Sequence, residues 1–281
     1  MRLVNLDGRL GIDVEGRFVD VAKRSEGRLP ADPMAAFAAW DELRAWASDQ
    51  SASDADPLID ADRLGPPVPR PAQVFAIGLN YKDHAEEAGL PTPSSPMVFT
   101  KFPSCIARPH AEIPLTSDTV DWEVEQVVVI GRETEGVDAA RAWEHVAGLC
   151  VGQDISDRRL QFSDKPPQFS LGKSARAFGP IGPALVSLDE FDDPDDLALR
   201  CWVAGEQMQS STTKNLIFPV PELIAYISGY CRLGPGDLIF TGTPGGVGSV
   251  RDPRRYLAVG ETIESEIEGI GRLSNRCVAR D

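Results

Sequence analysis

The densest group of reactive side chains is Asp121-Trp122-Glu123-Val124-Glu125-Gln126, which runs straight into Val127-Val128-Val129-Ile130. A strand sends every second side chain to one face, so Asp121, Glu123 and Glu125 share a face at about 6.6 Å per pair, and that face continues as Val127 and Val129. Like charges crowded where a buried strand emerges are unfavourable unless a cation sits among them. An all-oxygen ligand set suits Mg²⁺, Mn²⁺ or Ca²⁺ rather than zinc. The solvent-facing side of an edge strand carries the same spacing and needs no cation. Asp154, closing the apolar run Leu149-Cys150-Val151-Gly152-Gln153, is a candidate third ligand or a turn cap. In Asn80-Tyr81-Lys82-Asp83-His84-Ala85-Glu86-Glu87, helical spacing puts His84 and Glu87 on one side, where the carboxylate can orient the imidazole and raise its basicity. A solvated surface helix has the same composition.

Other signatures fail. Gly172-Lys173-Ser174 lacks the phosphate-loop glycine, since Pro167 occupies its place, and Gly245-Gly246-Val247-Gly248 would need its last fingerprint glycine at Arg251. There is no GxSxG elbow, and three histidines make a His-rich zinc site a poor fit.

The elements that must carry these residues are mostly strands. Runs at 74–79, 97–101, 123–131, 148–155, 198–205, 237–243 and 261–271 read as β-structure, while helical patterns cover only 81–88, 139–146 and 221–231. Strands that outnumber short helices without βαβ alternation indicate an α+β, mainly β fold. Residues 1–20 read as an antiparallel meander around two glycine turns, followed by a helix over 33–46. Four prolines in the nine residues 65–73 mark a boundary. It divides a small N-terminal α+β domain, 1–70, from the main domain, 71–281.

The chain of 281 residues is 42% hydrophobic, enough for a sizeable core, and its net charge of −15 repels phosphate backbones. Nucleic acid is therefore excluded as a partner. No apolar stretch approaches the roughly 20 residues needed to span a bilayer, and the N-terminus lacks signal-peptide features, so a cytoplasmic protein without a membrane partner is expected. The five cysteines are widely spaced without a CxxC pair and read as reduced, mostly core thiols.

Over about residues 71–281, seven blocks in order resemble the fumarylacetoacetate hydrolase family: IGLNYKDHAEEAG, VFTKFPSCI, DWEVEQVVVIG, GQDISDRRLQ, QFSLGKS, FGPIGP and PGDLIFTGTPGGVG. The resemblance implies a mixed β-sandwich roll with a metal at its open end. It places metal ligands on Glu123, Glu125 and Asp154, with Asp121 as a neighbour. It places a water-activating dyad on His84 and Glu87, within a segment, 81–96, that acts as a lid. Arg158 and Gln161 match ligand-contacting positions, Lys173 the active-site lysine, and Thr243 a threonine that contacts substrate oxygens. Lys173 is one of only six lysines against 22 arginines. Gln126, Arg159 and the loop 162–167 depart from the family pattern.

The implied cofactor is Mg²⁺ or Mn²⁺, with Ca²⁺ as a further option, and the implied assembly is a homodimer. The implied reaction is hydrolytic C–C cleavage of an acylpyruvate-like or fumarylpyruvate-like diketo acid through an enolate that the metal stabilises. Two alternatives share the scaffold: decarboxylation or isomerisation of an oxaloacetate-like 2-oxo diacid, and a binding scaffold without catalysis.

Overall fold

The computed structural model describes residues 1–280. It is a sheet-dominated α+β fold. The larger sheet has eleven strands, and its path runs Arg17–Asp20, Arg9–Val14, Arg2–Leu6, Gly179–Val186, Val146–Gln153, Val124–Ile130, Leu238–Phe240, Val74–Gly78 and Met97–Thr100. A five-stranded sheet, Glu206–Thr212, Ala198–Val203, Thr262–Ile267, Gly271–Ala279 and Ile113–Leu115, packs against one face of it. Among the described residues no helix is long and apolar enough to cross a membrane.

The central strand Val124–Ile130 is buried along its whole length, and its two faces pack into different cores. Val124, Val128 and Ile130 meet the five-stranded sheet through residues such as Cys201, Ile263 and Leu273. Val127 and Val129 share a second cluster with Phe37, Trp40 and Leu43 of the N-terminal helices. A strand covered on both faces reads as a continuous apolar run because neither face meets water.

The N-terminal meander forms as expected. Its tight turns place Asp7-Gly8 and Glu15-Gly16 at positive φ, the geometry that twists a two-residue hairpin loop to match its strands. Its strand Arg2–Leu6 then pairs antiparallel with Gly179–Val186, Arg2 opposite Val186 and Leu3 opposite Leu185. The proposed division at residue 70 therefore separates no sheet, because both sides of it contribute strands to the same one. The strand Gly179–Val186 has no clear sequence signal, since Pro180 and Pro183 read as breakers. Its pairing with Val146–Gln153 accommodates them through an irregular register between Leu149 and Val151. The pattern over 139–146 becomes a 3₁₀ helix, Ala139–His145, rather than an α-helix.

Register is what assembles the reactive residues. Val124 lies opposite Gln153 and Glu125 opposite Gly152, so the start of one strand meets the end of its neighbour. Asp154, just past that end, donates its backbone N–H to the Glu123 carbonyl at 2.9 Å. On the other flank Val127 lies opposite Phe240, which carries Thr241-Gly242-Thr243 past the same point. The strand Val74–Gly78 runs parallel to Leu238–Phe240 and delivers the helix Lys82–Glu87 to that end of the sheet.

Candidate functional site

Glu123, Glu125 and Asp154 present carboxylate oxygens that all lie within 4.8 Å of one another, and all three residues are buried. Asp121 turns away from this cluster. It accepts from the backbone N–H groups of Gly248 (2.7 Å) and Ser249 (3.0 Å) and from Arg158 Nε (2.9 Å).

Three buried cations face the acids. Lys173 Nζ donates to Glu123 and Asp154, both at 2.8 Å, and to Ser156 Oγ at 2.7 Å. Arg158 bridges Asp121 and Glu123, its Nη2 lying 2.6 Å from Glu123 Oε1, and donates from Nη1 to Gln161 Oε1 at 2.9 Å. Lys101 donates to Asp154 Oδ1 at 2.5 Å and to the carbonyls of Lys173 and Phe178. Lys101 was not singled out from the sequence. Its only signal is a lysine closing the strand-like run at 97–101, an ordinary solvent-facing pattern; the fold instead swings it inward to fix Asp154 and the backbone of Lys173.

The charge balance singles out Glu125. Burial favours the neutral form of every acid here, but beside Glu123 the charges of Lys173 and Arg158 win, and its carboxyl stays below the usual carboxylate range. Among the described residues Glu125 has no cationic partner in hydrogen-bond contact. Burial, reinforced by the charges of Asp154 and Glu123, pushes it well above that range, against one backbone N–H from Gly242 at 2.8 Å. For Lys173 burial opposes the charge, yet Asp154 and Glu123 outweigh it and the ammonium is retained. Three converging carboxylates without sulfur or imidazole, one of them with no cation in hydrogen-bond contact among the described residues, fit a hard divalent cation. Tyr81, fully buried with an unpartnered hydroxyl, is pushed well above its ordinary value by burial and by the Glu125 charge.

A cavity of about 630 Å³ opens beside the cluster, a size typical of small-molecule sites. Glu123, Lys173, Arg158, Gln161, Thr243 and His84 all line it. Arg158 directs its Nε, its Nη2 and one Nη1 N–H at Asp121, Glu123 and Gln161, and the Gln161 amide N–H₂ is a further donor of that pair with no partner among the described residues. Thr243 donates its hydroxyl proton to the Val124 carbonyl (2.9 Å) and accepts from Gln209 (2.8 Å), which leaves it only an acceptor lone pair for a ligand. His84 and Glu87 lie on one side of their helix, but His84 Nδ1 is 3.8 Å from Glu87 Oε2 and makes no hydrogen bond. Glu87 Oε2 instead accepts from the Gly246 backbone N–H at 2.8 Å, and Asp83 from Ser211 Oγ at 2.7 Å, which docks the helix over the TGTPGG turn.

The family model described as fumarylacetoacetate hydrolase, C-terminal, matches residues 73–278. The chain belongs to the fumarylacetoacetate hydrolase family. It is 44% identical over 214 residues to the bovine mitochondrial oxaloacetate tautomerase FAHD2A, covering 75% of this chain and 68% of that one. A solved Mycobacterium smegmatis protein with the provisional name HpcE superposes with a TM-score of 0.93 at 50% identity, both chains fully covered. The maleylpyruvate hydrolase of Sphingobium sp. SYK-6, solved with manganese(II) and pyruvate, superposes with a TM-score of 0.82 at 25% identity, again with both chains fully covered. Members similar to this chain thus include both a tautomerase and a hydrolase.

Proposed function

We propose that the protein catalyses keto–enol tautomerisation of a 2-oxo diacid, with Glu123, Glu125 and Asp154 holding Mg²⁺ or Mn²⁺. The observation that carries this reading is His84, which lines the same cavity as Lys173 and Glu123 while its Nδ1 has no hydrogen-bond partner. A tautomerase needs a base that takes a proton from carbon and returns one, and an imidazole unconstrained at Nδ1 can do both. Activating water for hydrolysis asks more, namely a third group that orients the imidazole; Glu87 stands 3.8 Å away and is engaged with Gly246. The 44% identity to a tautomerase agrees with this choice.

The cation supplies Lewis-acid polarisation of the substrate's oxygens when bound. Lys173 keeps a positive charge at the cavity wall where negative charge develops on the 2-oxo oxygen, and its contacts to Glu123 and Asp154 fix its position beforehand. Gln161 offers its amide N–H₂ to a substrate carboxylate, and the Arg158 guanidinium behind it adds positive charge. His84 takes the C3 proton and becomes imidazolium, and the enol forms as the imidazolium passes a proton to the 2-oxo oxygen, which regenerates the base; the reverse reaction runs the same two transfers backward.

Hydrolysis of an acylpyruvate-like substrate is the second reading, favoured by a cavity much larger than a four-carbon acid fills and by the likeness to maleylpyruvate hydrolase. Incubating the Mg²⁺- or Mn²⁺-loaded protein in D₂O with oxaloacetate, acylpyruvates and fumarylpyruvate, and identifying products by NMR, separates the two. Accelerated C3 deuterium exchange without fragmentation is expected. Release of pyruvate with a new carboxylate would establish hydrolysis instead, release of CO₂ decarboxylation, and no change in any substrate a non-catalytic scaffold.

A homodimer is part of the same proposal. Leu90, Phe102, Phe162 and Leu171 are each about half exposed, apolar surface that a second copy of the chain would cover. Light scattering at micromolar concentration should give a mass near twice the 30.4 kDa of the chain, whereas a single-chain mass at all concentrations would exclude the dimer.

A further inference from the structure

The cavity has a cationic wall that the assignments above leave unused. The segment Arg251–Tyr256 carries three arginines, and the protein itself binds two of them. Arg251 donates from Nη2 to the Met208 carbonyl (2.8 Å) and from Nε to the Gly246 carbonyl (3.3 Å). Arg255 pairs with Glu261 at 2.6 Å and lies over the Trp122 ring, its Cζ 5.8 Å from the centroid. Arg254 lines the cavity, is exposed, and has no hydrogen bond or ion pair among the described residues.

The loop that presents Arg254 is held in place. Asp121 accepts from the backbone N–H groups of Gly248 and Ser249, and the chain folds back so that Arg255 donates its N–H to the Gly248 carbonyl at 3.1 Å. A Cβ on Gly248 would stand 1.8 Å from the Arg255 carbonyl oxygen, so that close approach requires glycine. Arg254 therefore projects from a braced turn and not from a free loop.

Charge completes the picture. The chain carries a net −15, yet the ionisable lining of this cavity is Lys173, Arg158, Arg159 and Arg254 against a single carboxylate, Glu123, besides His84 and Tyr256. Of these cations Lys173 and Arg158 are committed to the buried acids, and Arg159 pairs with Asp118. One free guanidinium remains, in a cavity also lined by Ser249 and Tyr256 and whose Met97, Phe99 and Phe169 suit a carbon chain.

We infer that Arg254 determines substrate specificity by binding a second carboxylate, so that the preferred ligand is a 2-oxo dicarboxylic acid whose carbon chain separates two anionic ends. This deepens the proposed function and rests on its 2-oxo acid assignment. A carboxylate is planar with two acceptor oxygens, which the guanidinium fork meets with two parallel hydrogen bonds.

The test compares two six-carbon ligands that differ only at the far end, 2-oxoadipate and 2-oxohexanoate, by calorimetry on Mn²⁺-loaded protein. The parent should bind the diacid about tenfold or more tightly than the monoacid, the range of a hydrogen-bonded charge pair. Arg254→Met should bring the two affinities within about twofold by weakening only the diacid, and Arg254→Lys should restore part of the preference. Because Arg254 has no protein partner, both variants should melt at the parent's temperature. A preference that survives in Arg254→Met, or an equal loss for both ligands, would overturn the inference. So would a parent that binds both equally well, although the 2-oxo acid assignment would then stand. A parent that binds neither ligand would overturn that assignment and the inference with it.

Discussion

Glu125→Gln should sharply reduce cation-dependent turnover while leaving the cation-free protein at least as stable as the parent. Without a cation, burial and the charges of Asp154 and Glu123 raise the Glu125 carboxyl well above its ordinary range and so favour its neutral form, with one oxygen accepting from the Gly242 N–H. Glutamine is close to isosteric with that neutral acid and retains the same acceptor, so the fold loses nothing. With a cation, the variant lacks one of the three proposed anionic ligands, and the expected fall in kcat/KM is on the order of a hundred- to a thousandfold, as for loss of a main electrostatic stabiliser. Binding to the native state alone raises stability by about 2.7 kcal/mol at a hundred times Kd. The parent should therefore melt higher as Mg²⁺ or Mn²⁺ is added, and Glu125→Gln should not. A cation-induced rise in Tm equal to the parent's would remove Glu125 from the ligand set.

The pH dependence has a definite sign. A carboxyl raised in the folded state contributes stability that is present below the ordinary unfolded value of about 4.3 and is lost as pH rises through the shifted one. The cation-free parent should therefore lose stability as pH rises above that ordinary value, and Glu125→Gln should lose less. Glu123, lowered in the folded state, works oppositely: its contribution is present above the ordinary value and lost as pH falls through the lowered one. Since a cation binds the ionised carboxylate, affinity should strengthen with pH in the parent as the raised Glu125 carboxyl ionises, with proton release accompanying cation binding. That release, measured by calorimetry in buffers of different ionisation enthalpy, should vanish in the variant.

The other large effect is expected at His84. His84→Ala should lower kcat by about a hundred- to ten-thousandfold, the span of a positioned general base, while oxalate affinity changes by no more than about threefold. The split follows from placement, since His84 lines the cavity without belonging to the carboxylate cluster. Its Nδ1 makes no hydrogen bond, so truncation leaves no partner unsatisfied there. Parallel losses in turnover and oxalate binding would make His84 a binding group and transfer the proton-transfer role elsewhere.

The cluster and its surroundings were legible to different depths. Period-2 spacing alone put Glu123 and Glu125 on one face with Val127 and Val129, and that parity holds: Val127 and Val129 share one core, while Gln126 points to the other side and reaches the Pro194 carbonyl. Asp154 could be proposed because an apolar run ended at it, but only the antiparallel register brought it to Glu123. Helical spacing placed Glu87 beside His84 without showing that its carboxylate would be spent on Gly246, 159 residues away.

What the sequence determined by itself is the local and the collective. Alternation along a strand, spacing along a helix and seven ordered blocks were enough for the mainly β fold, the family and the acidic cluster, because those features depend on neighbours a few residues apart or on the whole pattern at once. The tertiary structure alone decided which charges meet. Lys101 is 53 residues from Asp154, Arg158 is 35 from Glu123, and Arg254 reaches the cavity only because a turn anchored by Asp121 carries it there. Gly179–Val186 became a strand despite its prolines because neighbouring strands supplied pairing that local propensity does not foresee. Side-chain periodicity records whether a residue is covered, but not by what, and at this site the identity of the covering charge decides that Glu123 is lowered and Glu125 raised.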